Sequence, residues 1–117
     1  MKHTLKQLTD AALAFRDERD WKQFHNPKDL AIALSLEAAE VLELMQWKSG
    51  KELADHVEKK KGELADELSD VLHAVLLLAA DHEIDLGEAF LKKLEKNRKK
   101  YPVHKARGQA KKYTELE

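Results

Sequence analysis

Residues 35–50 read SLEAAEVLELMQWKSG, and winding them into a helix decides the fold class. At about 100° per residue, Leu30, Leu34, Ala38, Val41, Leu42 and Met45 gather around one direction, which is enough for an ordinary core contact. Glu37 and Glu40 fall beside that stripe, yet their own angular neighbours are Ala33, Leu36 and Leu44. Apart from Lys28, Ser35, Glu43 and Gln46, the helix is apolar nearly all round. Such a helix is covered on more than one side, so the glutamate pair is expected inside.

The same periodicity extends in both directions. With only four glycines and two prolines, sparse β-branched residues and long segments at helical spacing, the chain reads as all-α. A first helix is predicted from about Thr4, its N-cap, to Trp21, with Leu5, Leu8, Ala12, Phe15 and Trp21 as its apolar positions. The second starts where Asn26 caps, Pro27 suits the first turn and Asp29 favours the positive end of the helix dipole, and it runs to about Gln46. Residues 48–64, KSGKELADHVEKKKGEL, predict a turn at Ser49–Gly50, a short solvated helical stretch and a weak point near Gly62. A third helix covers roughly Glu63 to Asp81, with Leu64, Leu68, Val71, Leu72, Val75, Leu76 and Ala79 as its stripe. Asp85 opens a fourth, with Glu88 completing a capping box, and Tyr101–Pro102 closes it. Residues 102–117 hold little apolar material and are expected to be an extended tail of a single domain spanning 1–117.

Composition narrows the function. A chain of 117 residues is the size of one domain. The charged fraction of 37% is high, yet Lys+Arg 21 against Asp+Glu 22 leaves a net charge of −1. That balance argues against a binder of polymeric nucleic acid or of membranes, which needs a basic surface. There is no cysteine, so neither a disulfide nor a thiolate metal site holds the fold. The N-terminal residues have no apolar core of the secretory kind, and no apolar run reaches the roughly 18 residues a membrane span needs. A cytoplasmic protein is the plain expectation.

The third helix repeats the oddity of the second. Glu67 and Asp70 are again three apart and off the main stripe, on a face that continues into Ala74, Leu77 and Leu78. Ionised carboxylates in such surroundings lose hydration and repel one another, so something positive must compensate. A hard divalent cation suits an all-oxygen site, and Mg²⁺ typically takes a few carboxylates and leaves other positions for water or phosphate. Two other readings stay open at this point. A di-iron or di-manganese bundle usually carries a Glu-x-x-His pair on two helices, which neither motif supplies, although Asp70 and His73 stand three apart. A non-catalytic interaction module would use the acidic faces to meet the lysines of a partner.

The words around the two pairs resemble the MazG-like all-α nucleoside triphosphate pyrophosphohydrolases, within them the dCTP pyrophosphatase branch. The family's metal motif, ExxE then ExxD, stands here as Glu37-x-x-Glu40 and Glu67-x-x-Asp70. ERDWKQFHNPKDL at 18–30, QWKS at 46–49, DELSDVL at 66–72 and NRKKYPVHKARGQAKKYTEL at 97–116 extend the likeness over most of the chain.

The resemblance implies a four-helix bundle working as a homodimer or a homotetramer of paired dimers. It implies Mg²⁺, with Mn²⁺ as a substitute, on the four carboxylates, which would also be the catalytic residues. The reaction would be hydrolysis of (deoxy)nucleoside triphosphates, dCTP or related dNTPs, to monophosphate and pyrophosphate, a house-cleaning of the nucleotide pool. The metal would neutralise phosphate oxygens and lower the pKa of a water. Trp21, His25 and Trp47 match family positions of the base pocket, and Lys48, Lys93, Asn97, Arg98, Lys100 and Tyr101 match positions that bind triphosphate or sugar. The dCTP-hydrolysing members carry histidine, tyrosine and asparagine where this chain has Ala12, Ala74 and Asp29, which bears on base preference rather than on chemistry.

Overall fold

A computed structural model describes all of residues 1–117, and every regular element in it is helical. The residues form two compact units, Met1–Glu83 and Ile84–Glu117.

In the first unit, α1 spans Leu5–Glu18. Its start is a capping box: Thr4 Oγ1 accepts from the Gln7 N–H at 3.1 Å, and Gln7 Oε1 accepts from the Thr4 N–H at 2.8 Å. The helix stops three residues short of the expected Trp21, because Asp20 takes a left-handed φ of 53° and a 3₁₀ turn follows at Lys22–Phe24. Helix α2 spans Pro27–Met45, capped by Asn26 Oδ1 accepting from the Asp29 N–H at 2.8 Å. The charged stretch after it forms α3, Gly50–Lys59, and α4 runs from Lys61 to Asp81. The break between them lies at Lys60 rather than near Gly62. Gly62 sits in the first turn of α4, where backbone N–H groups have no intrahelical acceptor to lose, so glycine interrupts nothing.

Helix α2 packs along α4, α1 lies on α4, and α3 touches both α2 and α4. The core follows the predicted stripes only in part: Ala12, Leu30 and Leu77 are buried together, with Leu13 and Leu78 packed against them, and Ala74, Leu76 and Ala79 are buried along α4. Helix α4 thus buries the face of Ala74 and Leu77 that continues from its carboxylates, while Leu42, Leu68 and Leu72 of the expected stripes are exposed. One buried side chain is charged, that of Arg16 on α1.

The second unit begins at the Asp85 cap, whose Oδ1 accepts from the Glu88 N–H at 3.1 Å, and continues as α5, Leu86–Lys100. After Pro102 the chain makes one short helix, α6 at Val103–Ala106, and a 3₁₀ turn at Tyr113–Glu115. Tyr101 and Tyr113 meet edge to face at 6.0 Å, and Lys100 Nζ lies 4.9 Å from the Tyr113 ring centre, so the tail folds back on the end of α5. No helix is long and apolar enough to cross a membrane.

Candidate metal centre

Spacing of three on a helix puts Glu37 and Glu40 on one face of α2, and Glu67 and Asp70 on one face of α4. Because those helices pack against each other, the two faces meet, and one oxygen from each of the four carboxylates lies within 4.8 Å of the others. Oε2 of Glu37 and Oε2 of Glu67 are buried without a hydrogen-bond partner. The electrostatic consequence is visible in both groups. The Glu67 carboxyl is pushed up to about 7, first by a hydrogen bond with Glu40, then by burial and the charges of Glu40, Asp70 and Glu37. Burial raises Glu37 as well, followed by its hydrogen bond and charge interaction with Glu40 and by Asp70.

Four convergent carboxylates, two with orphaned buried oxygens, fit a hard cation and offer nothing to a soft one. His73 is not among them: its ring packs edge to face on Phe15 at 5.8 Å, and the cluster contains no Glu-x-x-His pair of the di-iron kind.

The tetrad separates two different surroundings. Glu37 and Asp70 line a cleft of about 270 Å³ whose other walls include Phe15, Trp21, His25, Ala33 and His73. Phe15 and Trp21 stand edge to face there at 5.8 Å, with the Arg19 guanidinium 3.8 Å from the Phe15 ring centre. Glu40 and Glu67 line a polar recess of about 550 Å³ with Glu43, Lys48, His56, Lys60 and Glu63. His56 is fixed by a 3.0 Å contact from Nε2 to the Leu44 carbonyl, which ties α3 to the end of α2.

Thus Trp21 and His25 stand beside Glu37 and Asp70, and Lys48 stands beside Glu40 and Glu67. Trp47 lines neither space; it is 90% exposed with a left-handed φ of 68°. Lys93, Asn97, Arg98, Lys100 and Tyr101 belong to the second unit. Lys93, Asn97, Lys100 and Tyr101 share one stripe at the C-terminal half and end of α5, while Arg98 is paired with Glu95 at 2.7 Å. His56 and Lys60 were hidden in a charge run that reads as solvated surface and Phe15 in a stripe that reads as core, while His73 stood out only for its spacing of three from Asp70.

A model of the MazG-like family matches residues 32–116, which contain all four carboxylates. The chain belongs to the MazG-like family. Two relatives are dCTP pyrophosphatase 1 of Mus musculus, 44% identical over 115 residues, and of Homo sapiens, 43% identical over 115 residues. Each alignment covers 97% of this chain and 68% of the relative. The crystal structure of a pyrophosphatase from Archaeoglobus fulgidus superposes with a TM-score of 0.81 at 42% identity, covering 87% of this chain and 95% of that one.

Proposed function

We propose that this MazG-like chain hydrolyses deoxynucleoside triphosphates, dCTP or a related cytosine nucleotide foremost, to the monophosphate and pyrophosphate. The observation that carries the reading is the position of the carboxylate tetrad, with an aromatic cleft on the Glu37–Asp70 side and a lysine-bearing recess on the Glu40–Glu67 side. A nucleotide has that same polarity, a flat base at one end and a polyanion at the other.

Glu37, Glu40, Glu67 and Asp70 would hold Mg²⁺, or Mn²⁺ in its place; the cation supplies positive charge to the phosphate oxygens and orients them. Trp21 offers an aromatic face to the base, a contact that tolerates any base. Lys48 and Lys60 meet phosphate oxygens, but carboxylates outnumber lysines in their recess, so the polyanion enters only together with its cation. One carboxylate of the site takes the proton of the attacking water as the bond between the α- and β-phosphates breaks and pyrophosphate leaves. Lys93, Asn97, Arg98, Lys100 and Tyr101 of the second unit would bind triphosphate or sugar, as the family resemblance implies. Trp47 is an exposed aromatic ready to close over the base.

The test is turnover of each common (d)NTP with Mg²⁺, reading pyrophosphate against orthophosphate. Pyrophosphate release that disappears in Glu40→Gln, with the helical circular dichroism unchanged, is the expected result. Orthophosphate alone, or no turnover of any nucleotide, overturns the reading.

A further inference from the structure

The side chain of Arg16 is only 2% exposed, although it carries a full charge. Helical spacing puts it on the apolar stripe of α1 with Leu8 and Ala12, so the fold had to accommodate it. Nη1 donates to Asp81 Oδ2 at 2.9 Å and Nη2 to Asp81 Oδ1 at 2.7 Å, a two-pronged pair that joins α1 to the last residue of α4. Its Nε is buried with no acceptor. Buried ion pairs are poor stabilisers, since well-packed apolar side chains of similar volume usually hold a core as well or better. Tying the helices together therefore does not account for the pair.

Its third contact does something apolar side chains cannot. Arg16 Nη1 lies 3.4 Å from His25 Nδ1. A guanidinium has five donors, no acceptor, and does not lose its charge. The ring nitrogen facing it must offer a lone pair, so the proton of the neutral imidazole sits on Nε2. The contact is long for a hydrogen bond, but a fixed cation beside Nδ1 excludes a proton there all the same. Asp81 prevents the guanidinium from swinging away, and the backbone N–H of His25 donates to the Lys22 carbonyl at 3.0 Å, which fixes the main chain from which the ring projects. His25 lines the aromatic cleft with Trp21, Glu37 and Asp70.

We propose that the buried Arg16–Asp81 pair is a positioning device that locks His25 as the Nε2–H tautomer, so that the cleft presents a fixed hydrogen-bond donor to a carbonyl or ring-nitrogen acceptor on a nucleotide base. This rests on the nucleotide reading above. Bases offering only a donor at that edge are rejected, because two N–H groups then face each other unpaired.

The first test needs neither nucleotide nor any change to the ion pair. In the full chain with ¹⁵N-labelled histidine, long-range ¹H–¹⁵N spectra should show His25, assigned by its loss in His25→Gln, with Nδ1 unprotonated and Nε2 protonated. A proton on Nδ1, or averaging between the two nitrogens, overturns the proposal. In the double variant Arg16→Met/Asp81→Leu, which leaves no buried charge behind, the His25 signals should move toward tautomer averaging. The KM for dCTP should rise roughly tenfold, the value of one lost hydrogen bond, with kcat changed by less than about twofold. A folded double variant with unchanged His25 signals and unchanged KM makes the pair a structural clasp only and sinks the proposal. Absence of turnover with every nucleotide in the unaltered protein would defeat the enzyme reading by itself, because the tautomer is read without nucleotide.

Discussion

Trp47 holds a φ of 68° and is 90% exposed. A left-handed backbone costs a side-chain-bearing residue about 1–2 kcal/mol, and an exposed ring recovers little of that by burial. Strain without a packing return points to a use elsewhere. Trp47→Gly should raise the stability of the nucleotide-free protein by about 1 kcal/mol, seen as a higher denaturation midpoint, while raising the KM for dCTP roughly tenfold through the lost stacking. A more stable variant with an unaltered KM would remove Trp47 from the binding surface. At Glu67 the strain is electrostatic and its sign can be worked out. The folded chain keeps this proton up to about 7, whereas an ordinary glutamate releases it near 4.5. Between those values the folded state binds more protons than the unfolded state, so stability must fall as pH rises through that window. In chelator, the thermal midpoint should therefore decline from pH 5 toward pH 7.5, and Glu67→Gln should flatten the decline. Added Mg²⁺ should raise the midpoint more at pH 8 than at pH 5.5, because at low pH the cation must first displace the proton.

At the scale of elements, the termini that sequence reads well are those with a chemical cap. Thr4, Asn26 and Asp85 each begin a helix as expected, since a side-chain oxygen beside a free N–H is a local event. The ends that shift depend on backbone turns: the left-handed Asp20 releases Trp21 from α1, and an aspartate, although it tolerates that conformation, is too common inside and beside helices to announce it. The carboxylate tetrad was legible because acidic residues on apolar helix faces break the pattern twice. By the same criterion Arg16 on the stripe of Leu8 and Ala12 was legible too, but its partner Asp81 is 65 residues away and only the fold brings the two together. Of the recess, Lys48 was expected from the resemblance, but His56 and Lys60 were not legible, because a charge run looks the same whether it faces water or a site. Gly62 makes the distinction testable. It lies within α4, and a Cβ built there meets nothing within 4 Å. Gly62→Ala should stabilise the protein by about 0.5–1 kcal/mol with activity unchanged, since it restricts the unfolded chain at no cost in the helix. Destabilisation would mean that the helix needs flexibility at this point.

At the scale of the whole molecule, the first unit leaves much of its apolar surface uncovered. On α2, Ile32 and Leu36 stand one turn apart and Leu36 is 62% exposed, and on α4 Leu68 and Leu72 repeat the spacing with Leu68 at 51%. These side chains belong to the two helices that carry the carboxylates, so whatever covers either of them bears on an element that holds the tetrad. Large exposed apolar patches on a chain of this size mark an interface, and the most economical occupant is a second copy meeting the same face across a two-fold axis. This surface predicts a homodimer, or two such dimers joined, in solution. Leu36→Glu puts a charge into that face twice per two-fold interface, where neither copy can rehydrate it. Light scattering behind size exclusion should show the unaltered chain at twice or four times its 13.4 kDa mass at micromolar concentration, and Leu36→Glu shifted to the monomer. Its Mg²⁺-dependent turnover should fall with dissociation and recover in part as protein concentration is raised, because association then offsets the added charge by mass action. A monomeric unaltered protein with full activity would show that the face serves something other than self-association, and that the tetrad is rigid without help from a second copy.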